Sequence, residues 1–304
     1  GPHRMIETPG SPSTALVIAA HGKRGRLEDG AGVERPYVVR GRRLRVVCGD
    51  RVHWQAGQAR EVTVTDIVPR DNALRRLEIA RKSTEVLAAK LSLVAVVCAV
   101  EPRPDWFVLD RYLCAAAFMN ARPLLVVNKC DAGLPDQAEL AVYDQAGYRI
   151  VRVSATSGEG LAALAAAFVD QTGILVGQSG VGKSSLLNRL APDAAASTSA
   201  LTASTGEGRH TTPASVMHRL PGGGRLIDAP GVRDFLPAID DDRSVQVGFI
   251  EILAAAPGCR FADCRHLREP GCAIKAAVEA KEISERRYES YRRLLRNTQS
   301  ANSG

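Results

Sequence analysis

The run Gly177-Gln178-Ser179-Gly180-Val181-Gly182-Lys183-Ser184 constrains this chain more than any other stretch. It satisfies the pattern G-x-x-x-x-G-K-[ST], follows the apolar residues 174–176 and opens a leucine-rich segment, 184–190, of helical character. A strand that turns through glycines into a helix aims backbone N–H groups and the positive helix end at one anion. The amides around Gly177, Gly180, Val181 and Gly182 suit a β-phosphate, Lys183 can reach the β/γ oxygens, and Ser184 can ligate Mg²⁺. A phosphate-binding α/β domain follows from this run, but not the identity of the base.

The surroundings agree. Apolar runs at 93–100, 124–127, 150–153, 174–176 and 226–227 alternate with helical stretches at 106–120, 139–146, 161–169 and 184–190. That alternation predicts a parallel sheet covered on both faces. Base-reading chemistry stands at two of the strand ends. Asn128-Lys129-Cys130-Asp131 follows residues 124–127; the Asp131 carboxylate can accept from both N1–H and N2–H₂ of guanine, a donor pair adenine lacks. The Lys129 stem can cover the base plane, and Asn128 can tie this loop to the glycine loop. Ser154-Ala155-Thr156 follows residues 150–153 and can offer a backbone N–H to the guanine carbonyl, although Ser154 equally suits a helix N-cap.

Asp228-Ala229-Pro230-Gly231 follows residues 226–227 and places a carboxylate for an Mg²⁺ water and a glycine amide for the γ-phosphate. The stretch 191–210, rich in Ala, Ser, Thr and Gly, predicts a mobile loop, and Arg209-His210-Thr211-Thr212 at its end offers a hydroxyl to the Mg²⁺ shell. A loop ordered only by γ-phosphate acts as a switch. In chain order the base-reading loops precede the glycine loop instead of following Asp228 to Gly231. Contacts set by position at strand ends survive joining the old termini and opening the chain elsewhere, so the order reads as a circular permutation.

A length of 304 residues suggests two domains, with a third if one is small, and 45% hydrophobic residues suffice for a real core. Short β-rich runs at 16–18, 37–39, 44–47, 62–64 and 67–68 predict a small N-terminal barrel. Basic residues concentrate at 40–45, as a solvated loop face or a nucleic-acid patch. Residues 69–90 show little period and read as a connector. From 240 onward the chain reads as helical, ending in a charged helix at 276–296 that carries Arg286, Arg287, Arg292, Arg293 and Arg296. Cys259-x₄-Cys264-x-His266-x₅-Cys272 interrupts it; three thiols and an imidazole suit one structural, tetrahedral Zn²⁺ with no open position for catalysis.

Seven cysteines, with Cys48, Cys98, Cys114 and Cys130 far apart, are no disulfide framework, and a reducing cytoplasm is the expected setting. Gly1-Pro2-His3-Arg4-Met5 reads as a tag scar within an N-terminal tail, 1–14, without an export signal. The longest apolar stretch, 91–100, is about half of the roughly 20 residues a bilayer crossing requires, so no membrane association is expected. No heptad seam argues for a stable dimer, and a monomer is expected.

Taken together, from about residue 15 to 296, the chain resembles the ribosome small-subunit-dependent GTPase A family of bacteria. The resemblance implies a multidomain fold: an OB-fold RNA-binding β-barrel at 15–69, a connector at 70–90, a circularly permuted α/β P-loop GTPase domain at 91–238 and an α-helical zinc-binding domain at 239–304. It implies binding to the 30S subunit and 16S rRNA, and subunit-stimulated hydrolysis of GTP to GDP and phosphate that times release during late 30S maturation. The family's nucleotide residues correspond to Asn128, Lys129, Asp131, Ser154, Ala155, Gly177 through Ser184 and Ser185, Thr211, Thr212, Asp228 and Gly231. Ser184, Thr212 and Asp228 correspond to the Mg²⁺ ligands, and Cys259, Cys264, His266 and Cys272 to the Zn²⁺ ligands.

Two departures stand out. Where family members often carry an Ala-Ala-Asn-Val-Asp-like stretch, this chain has Ala88-Ala89-Lys90-Leu91-Ser92. After Gly231 comes Val232, where Ras-like GTPases have the glutamine that orients water, so hydrolysis alone should be slow. His210 is expected to take that role once the 30S subunit orders the loop, giving His210, Lys183 and Thr212 as the catalytic set; otherwise His210 caps a turn. The competing class is a constitutive RNA-binding module with a vestigial nucleotide site. An ATP-dependent kinase would have no use for Asn128 to Asp131.

Overall fold

The computed structural model describes residues 13–41, 43–57, 61–78, 83–194, 214–232, 237–239 and 242–302. Five strands form the N-terminal barrel: β1 (Ser13–His21), β2 (Arg24–Glu28), β3 (Glu34–Val39), β4 (Arg51–Ala56) and β5 (Val62–Ile67). Their order is β1-β2-β3-β5-β4, and β4 closes back onto β1; only β3 and β5 run parallel. Alternate residues turn inward, so Ala15, Val17, Leu27, Tyr37, Val52 and Val64 share one core. Residues 44–47 form no strand. The Asp50 carboxylate accepts from the Val47 amide at 2.9 Å and takes the Arg70 guanidinium at 2.7 and 2.9 Å, which holds this stretch in a turn.

Residues 69–90 are more than a connector. They carry an antiparallel hairpin, β6 (Ala73–Glu78) and β7 (Ser83–Ala89), whose ladder the charged sequence Ala-Leu-Arg-Arg-Leu-Glu conceals. Ahead of it, Asn72 donates to Leu91 O (2.7 Å) and Met119 O (3.1 Å) and accepts from Leu91 N (2.9 Å), while the Ser92 hydroxyl accepts from Thr172 N (3.0 Å). The Ala88 to Ser92 stretch is thereby well bonded in its altered form.

The α/β unit contains β8 (Leu93–Ala99), β9 (Arg122–Asn128), β10 (Ile150–Arg152), β11 (Thr172–Val176), β12 (Ser215–Arg219) and β13 (Arg225–Asp228). Strands β10-β9-β8-β11-β13 are parallel, β12 is antiparallel to β13, and β12 bonds to β1 of the barrel. Barrel and α/β sheet are therefore one 11-stranded sheet. Among the described residues four helices cover it: α1 (Trp106–Phe118), α2 (Gln137–Gln145), α3 (Leu161–Phe168) and α4 (Lys183–Leu190).

Strand β8 explains the two-sided cover. Every residue of it is buried: Val94, Val96 and Cys98 join a cluster with Leu109, Tyr112 and Leu113 of α1. Leu93, Ala95, Val97 and Ala99 join another with Phe168 of α3 and Leu186 of α4. A continuous apolar run is what period two requires when both faces are covered.

Beyond the sheet lie a 3-10 segment (Asp242–Gly248), α5 (Ile250–Ala255), the Cys/His loop, α6 (Ala273–Glu279) and α7 (Glu285–Asn302). The charged stretch 276–296 is two helices, because the chain turns through Lys281 in the left-handed region (φ 61°) and buries Ile283. Its basic residues are also committed. Arg292, Arg293 and Arg296 bond to Glu289, while Arg286 and Arg287 reach into α1. Asp110 of α1, fully buried, takes both guanidiniums at 2.7 Å; Arg287 also binds Glu251 of α5 at 2.7 Å, and Arg286 binds Glu139 at 2.5 Å. Burial opposes the Arg287 charge, but Asp110, Tyr148 and Glu251 outweigh it and hold the guanidinium well above its usual value.

Candidate nucleotide site

The parallel strands bring their carboxyl ends to one edge of the sheet, and the loops that leave them meet there. Gly177 has φ 143°, and a Cβ on it would stand 2.2 Å from Val97 O, so only glycine lets the loop leave β11 against β8. Gly182 (φ 94°) precedes α4, and a Cβ there would stand 2.3 Å from Asn128 Nδ2. The missing side chain makes room for the 128–131 loop.

Asn128, 1% exposed, uses that room. Its Nδ2 donates to Val181 O at 2.9 Å, and its Oδ1 accepts from Ala155 N at 3.3 Å. Lys129, left-handed at φ 60°, donates to Gly180 O (2.7 Å) and Glu101 O (2.8 Å). Cys130 N donates to Val153 O at 3.1 Å. Three loops far apart in sequence, at 128–131, 154–155 and 180–182, are thus in direct contact. Asp131 is exposed on the 3-10 turn Cys130–Ala132. Burial, then the Glu159 charge, pushes the Cys130 thiol above its usual value, so it stays neutral beside Asp131. Buried Ser154 accepts from Ser157 N at 2.9 Å through its hydroxyl, which leaves the neighbouring Ala155 as the outward member of the loop.

On the phosphate side, Lys183 Nζ donates to Gly177 O (2.6 Å) and Gln178 O (2.7 Å), so its ammonium lies within the curve of the loop. Ser185 is exposed in the first turn of α4. Lys183, Ser184 and Asp228 line one small cavity with Val232, which places a hydroxyl and a carboxylate together as a magnesium site requires. Gly231 lies in the 3-10 turn Pro230–Val232; Val232 is 4% exposed and packs into the core. His210, Thr211 and Thr212, and residues 195–213 as a whole, lie outside the described residues.

Sequence reasoning missed Asp105 and Glu101, and the contact that Gln178 makes outside the glycine loop. Gln178 Oε1 accepts from Asp105 N at 3.0 Å, and the Asp105 carboxylate caps α1 by accepting from Phe107 N and Val108 N. Glu101 serves through its main-chain carbonyl, a role without any residue-type signature. Replacing Asn128 by alanine strands Val181 O and Ala155 N, at about 1–3 kcal/mol for a buried group left unpaired. We expect GDP affinity to fall roughly 10- to 100-fold in equilibrium titration, with an unchanged affinity removing Asn128 from the site.

Cys259, Cys264, His266 and Cys272 also converge: their ligand atoms all lie within 4.8 Å of one another. His266 Nδ1 is 3.5 Å from both Cys259 Sγ and Cys272 Sγ, while Nε2 meets Gln246 Oε1 at 3.2 Å, an arrangement that orients a metal-ligating imidazole. Glu269 braces the loop by accepting from the amides of Arg265, Leu267 and Arg268; burial opposes its charge, but these amides hold the carboxyl at about 2. Burial and the adjacent thiols push Cys264 up to about 12, and a dication among the three sulfurs reverses that preference. This donor set fits tetrahedral Zn²⁺. Among the described residues no helix is long and apolar enough to cross a membrane.

A sheet whose carboxyl edge joins a base-reading loop to a P-loop, in inverted chain order, defines a circularly permuted P-loop GTPase. Known proteins narrow the class. The family model described as RsgA GTPase matches residues 67–236. A protein of Chromohalobacter salexigens named small ribosomal subunit biogenesis GTPase RsgA is 38% identical over 300 residues, 97% of this chain and 86% of its own length. One of the same name from Azotobacter vinelandii is 40% identical, covering 94% of this chain and 86% of its own. The crystal structure of YjeQ from Thermotoga maritima superposes with a TM-score of 0.72 at 27% identity, over 94% of this chain and 98% of that one. That of YloQ, described as a circularly permuted GTPase, gives 0.72 at 26% identity over 98% of both. The chain belongs to the RsgA GTPase family.

Proposed function

We propose that this GTPase binds the 30S ribosomal subunit through 16S rRNA, hydrolyses GTP to GDP and phosphate there, and uses hydrolysis to time its release late in subunit maturation. The observation that carries the nucleotide reading is the junction of Asn128 and Lys129 with residues 180–182, supported for the partner by the relatives named for small-subunit biogenesis. Asp131 reads the guanine N1–H and N2–H₂ pair, the Lys129 stem covers the base, and the Ala155 amide leaves Asn128 Oδ1 on nucleotide binding to meet the guanine carbonyl. The amides of residues 177–185 and Lys183 hold the phosphates, and Gly231 senses the γ-phosphate, with Thr211 beside Thr212 in the switch. Ser184 and Asp228 with Thr212 would hold Mg²⁺, which neutralises charge on the β/γ oxygens.

A buried aliphatic Val232 cannot orient water, so the subunit must complete the catalytic set, with His210 as the orienting group beside Lys183 and Thr212. The protein acts as a cytoplasmic monomer. Phosphate release measured with 30S, 50S and 70S particles side by side tests this. We expect 30S to raise the rate at least tenfold, and His210→Ala to lose about 10²- to 10⁴-fold of the stimulated rate while GTP binding persists. Equal rates with and without 30S would contradict the proposal and leave an RNA-binding module with an idle nucleotide site.

The Cys259, Cys264, His266 and Cys272 cluster holds one structural Zn²⁺. Cys264→Ser is expected to cut bound zinc, read by elemental analysis, well below one ion per chain and to loosen α6 and α7 against α5. Full zinc content in that variant would remove Cys264 from the ligand set.

A further inference from the structure

The nucleotide loops occupy the carboxyl edge of the sheet; the opposite edge has a chemistry of its own. Register places Arg122 of β9 beside Leu93 of β8, Gly173 of β11 beside Leu93, Arg225 of β13 beside Thr172, and Arg219 of β12 beside Arg225. In the barrel, Leu16 of β1 lies opposite Arg51 at the start of β4. Lys90 sits at the turn just ahead of β8, and Ala89 N donates to Cys48 O, which brings that turn against the 48–51 turn of the barrel. At about 4.8 Å per strand, the row from β9 to β1 spans roughly 24 Å.

These cations are incompletely neutralised. Arg219 and Arg225 share Glu28, and Arg122 spends one nitrogen on Ala167 O at 2.7 Å, which leaves its charge in place. Lys90 and Arg51 are exposed and have no carboxylate partner among the described residues. Burial, then the charge of Arg51 and, more weakly, that of Arg225, holds the Lys90 ammonium below its usual value against the pull of Asp71, so Lys90 lies in the field of both arginines. An open groove lined by Asp170, Gly223 and Gly224 borders Arg219 and Arg225 and lets a chain approach closely.

We infer that the amino edge of the sheet, from Arg122 through Lys90, Arg225 and Arg219 to Arg51, is a docking track for an RNA phosphate backbone that bridges the barrel and the GTPase unit. This deepens the ribosome-bound reading above and rests on it for the source of the RNA. A linear run of separate cations, four of the five being arginines able to grip phosphate bidentately, matches a polyanion. A protein partner would call for a charge-depleted interface core, which this row lacks. Because β1 bonds to β12, RNA on this track touches the strand that follows residues 195–213 of the chain.

The test is the double variant Lys90→Gln, Arg51→Gln, which removes both charges, keeps polar side chains and lies away from the nucleotide loops. GDP affinity, expected to be unchanged, serves as the folding control. Affinity is measured against salt with two probes, intact 30S subunits and protein-free 16S rRNA transcript. Removing two phosphate contacts should weaken binding at least tenfold at about 50 mM salt and reduce the slope of log K against log salt by about 1.5 with both probes. Unchanged slopes overturn the track. A loss on 30S but not on the transcript overturns it in favour of an acidic ribosomal protein. Wild-type protein that binds transcript with the expected slope but ignores 30S would sink the ribosome-bound reading while leaving the track standing.

Discussion

Asp131→Asn is expected to lower GTP and GDP affinity by about 10²- to 10⁴-fold and to raise preference for xanthine nucleotides. The size follows from two hydrogen bonds to a charged acceptor at about 1.5–3 kcal/mol each. Asp131 is exposed, but the loop that presents it is not free to adapt. Asn128 is bonded to Val181 and Ala155, Lys129 to Gly180 and Glu101, and Cys130 to Val153. An asparagine there sets an N–H₂ group against the guanine donor pair, whereas the second carbonyl of xanthine accepts from it. Competition between a fluorescent GDP and unlabelled GDP or XDP reads the change. Unaltered guanine preference would take Asp131 out of base recognition.

Arg287→Met should be the most destabilising single change outside the nucleotide site. The side chain is fully buried, between Asp110 at 2.7 Å, Glu251 at 2.7 and 2.9 Å and the Tyr148 hydroxyl at 2.9 Å, and its guanidinium stacks 4.6 Å from the Phe249 ring centroid. Methionine fills much of the volume but leaves Glu251 without its cation and Asp110 with Arg286 and the Tyr143 hydroxyl. Removing one partner of a buried network costs about 3–5 kcal/mol, because the remaining charge cannot recover water. The thermal midpoint should fall by roughly 10 °C. Since Asp110, Glu251 and Arg287 come from α1, α5 and α7, the C-terminal helices should loosen first, while GDP affinity at low temperature is retained. A midpoint within a degree or two of wild type would show that apolar packing, not this network, holds the helices to α1.

What was legible in the sequence follows from where the chemistry sits. The meeting of the P-loop with Asn128 to Asp131 could be anticipated because both leave strand ends on one edge of the sheet, and β8 because seven consecutive apolar residues have only one home. Hairpin β6-β7 hid behind Arg75, Arg76 and Glu85, and β12 behind a single buried histidine, His218. The fusion of barrel and α/β sheet through β1 and β12 is main-chain pairing, which no residue type in either strand announces. In the sequence Arg286 and Arg287 are simply part of a charged helix; the burial of Arg287 depends on Asp110 and Glu251, 177 and 36 residues away. The contact of Gln178 with the first turn of α1 escaped for the same reason.

The most direct check on the central claim is a crystal structure of the chain with GDP and Mg²⁺ bound. Two segments in reversed order should hold one nucleotide: the guanine edge within hydrogen-bond reach of the Asp131 carboxylate, about 2.7–3.2 Å, and the β-phosphate among the amides of residues 177–184. A base lying away from residues 128–131 and 154–155 while the phosphates rest in the glycine loop would contradict it.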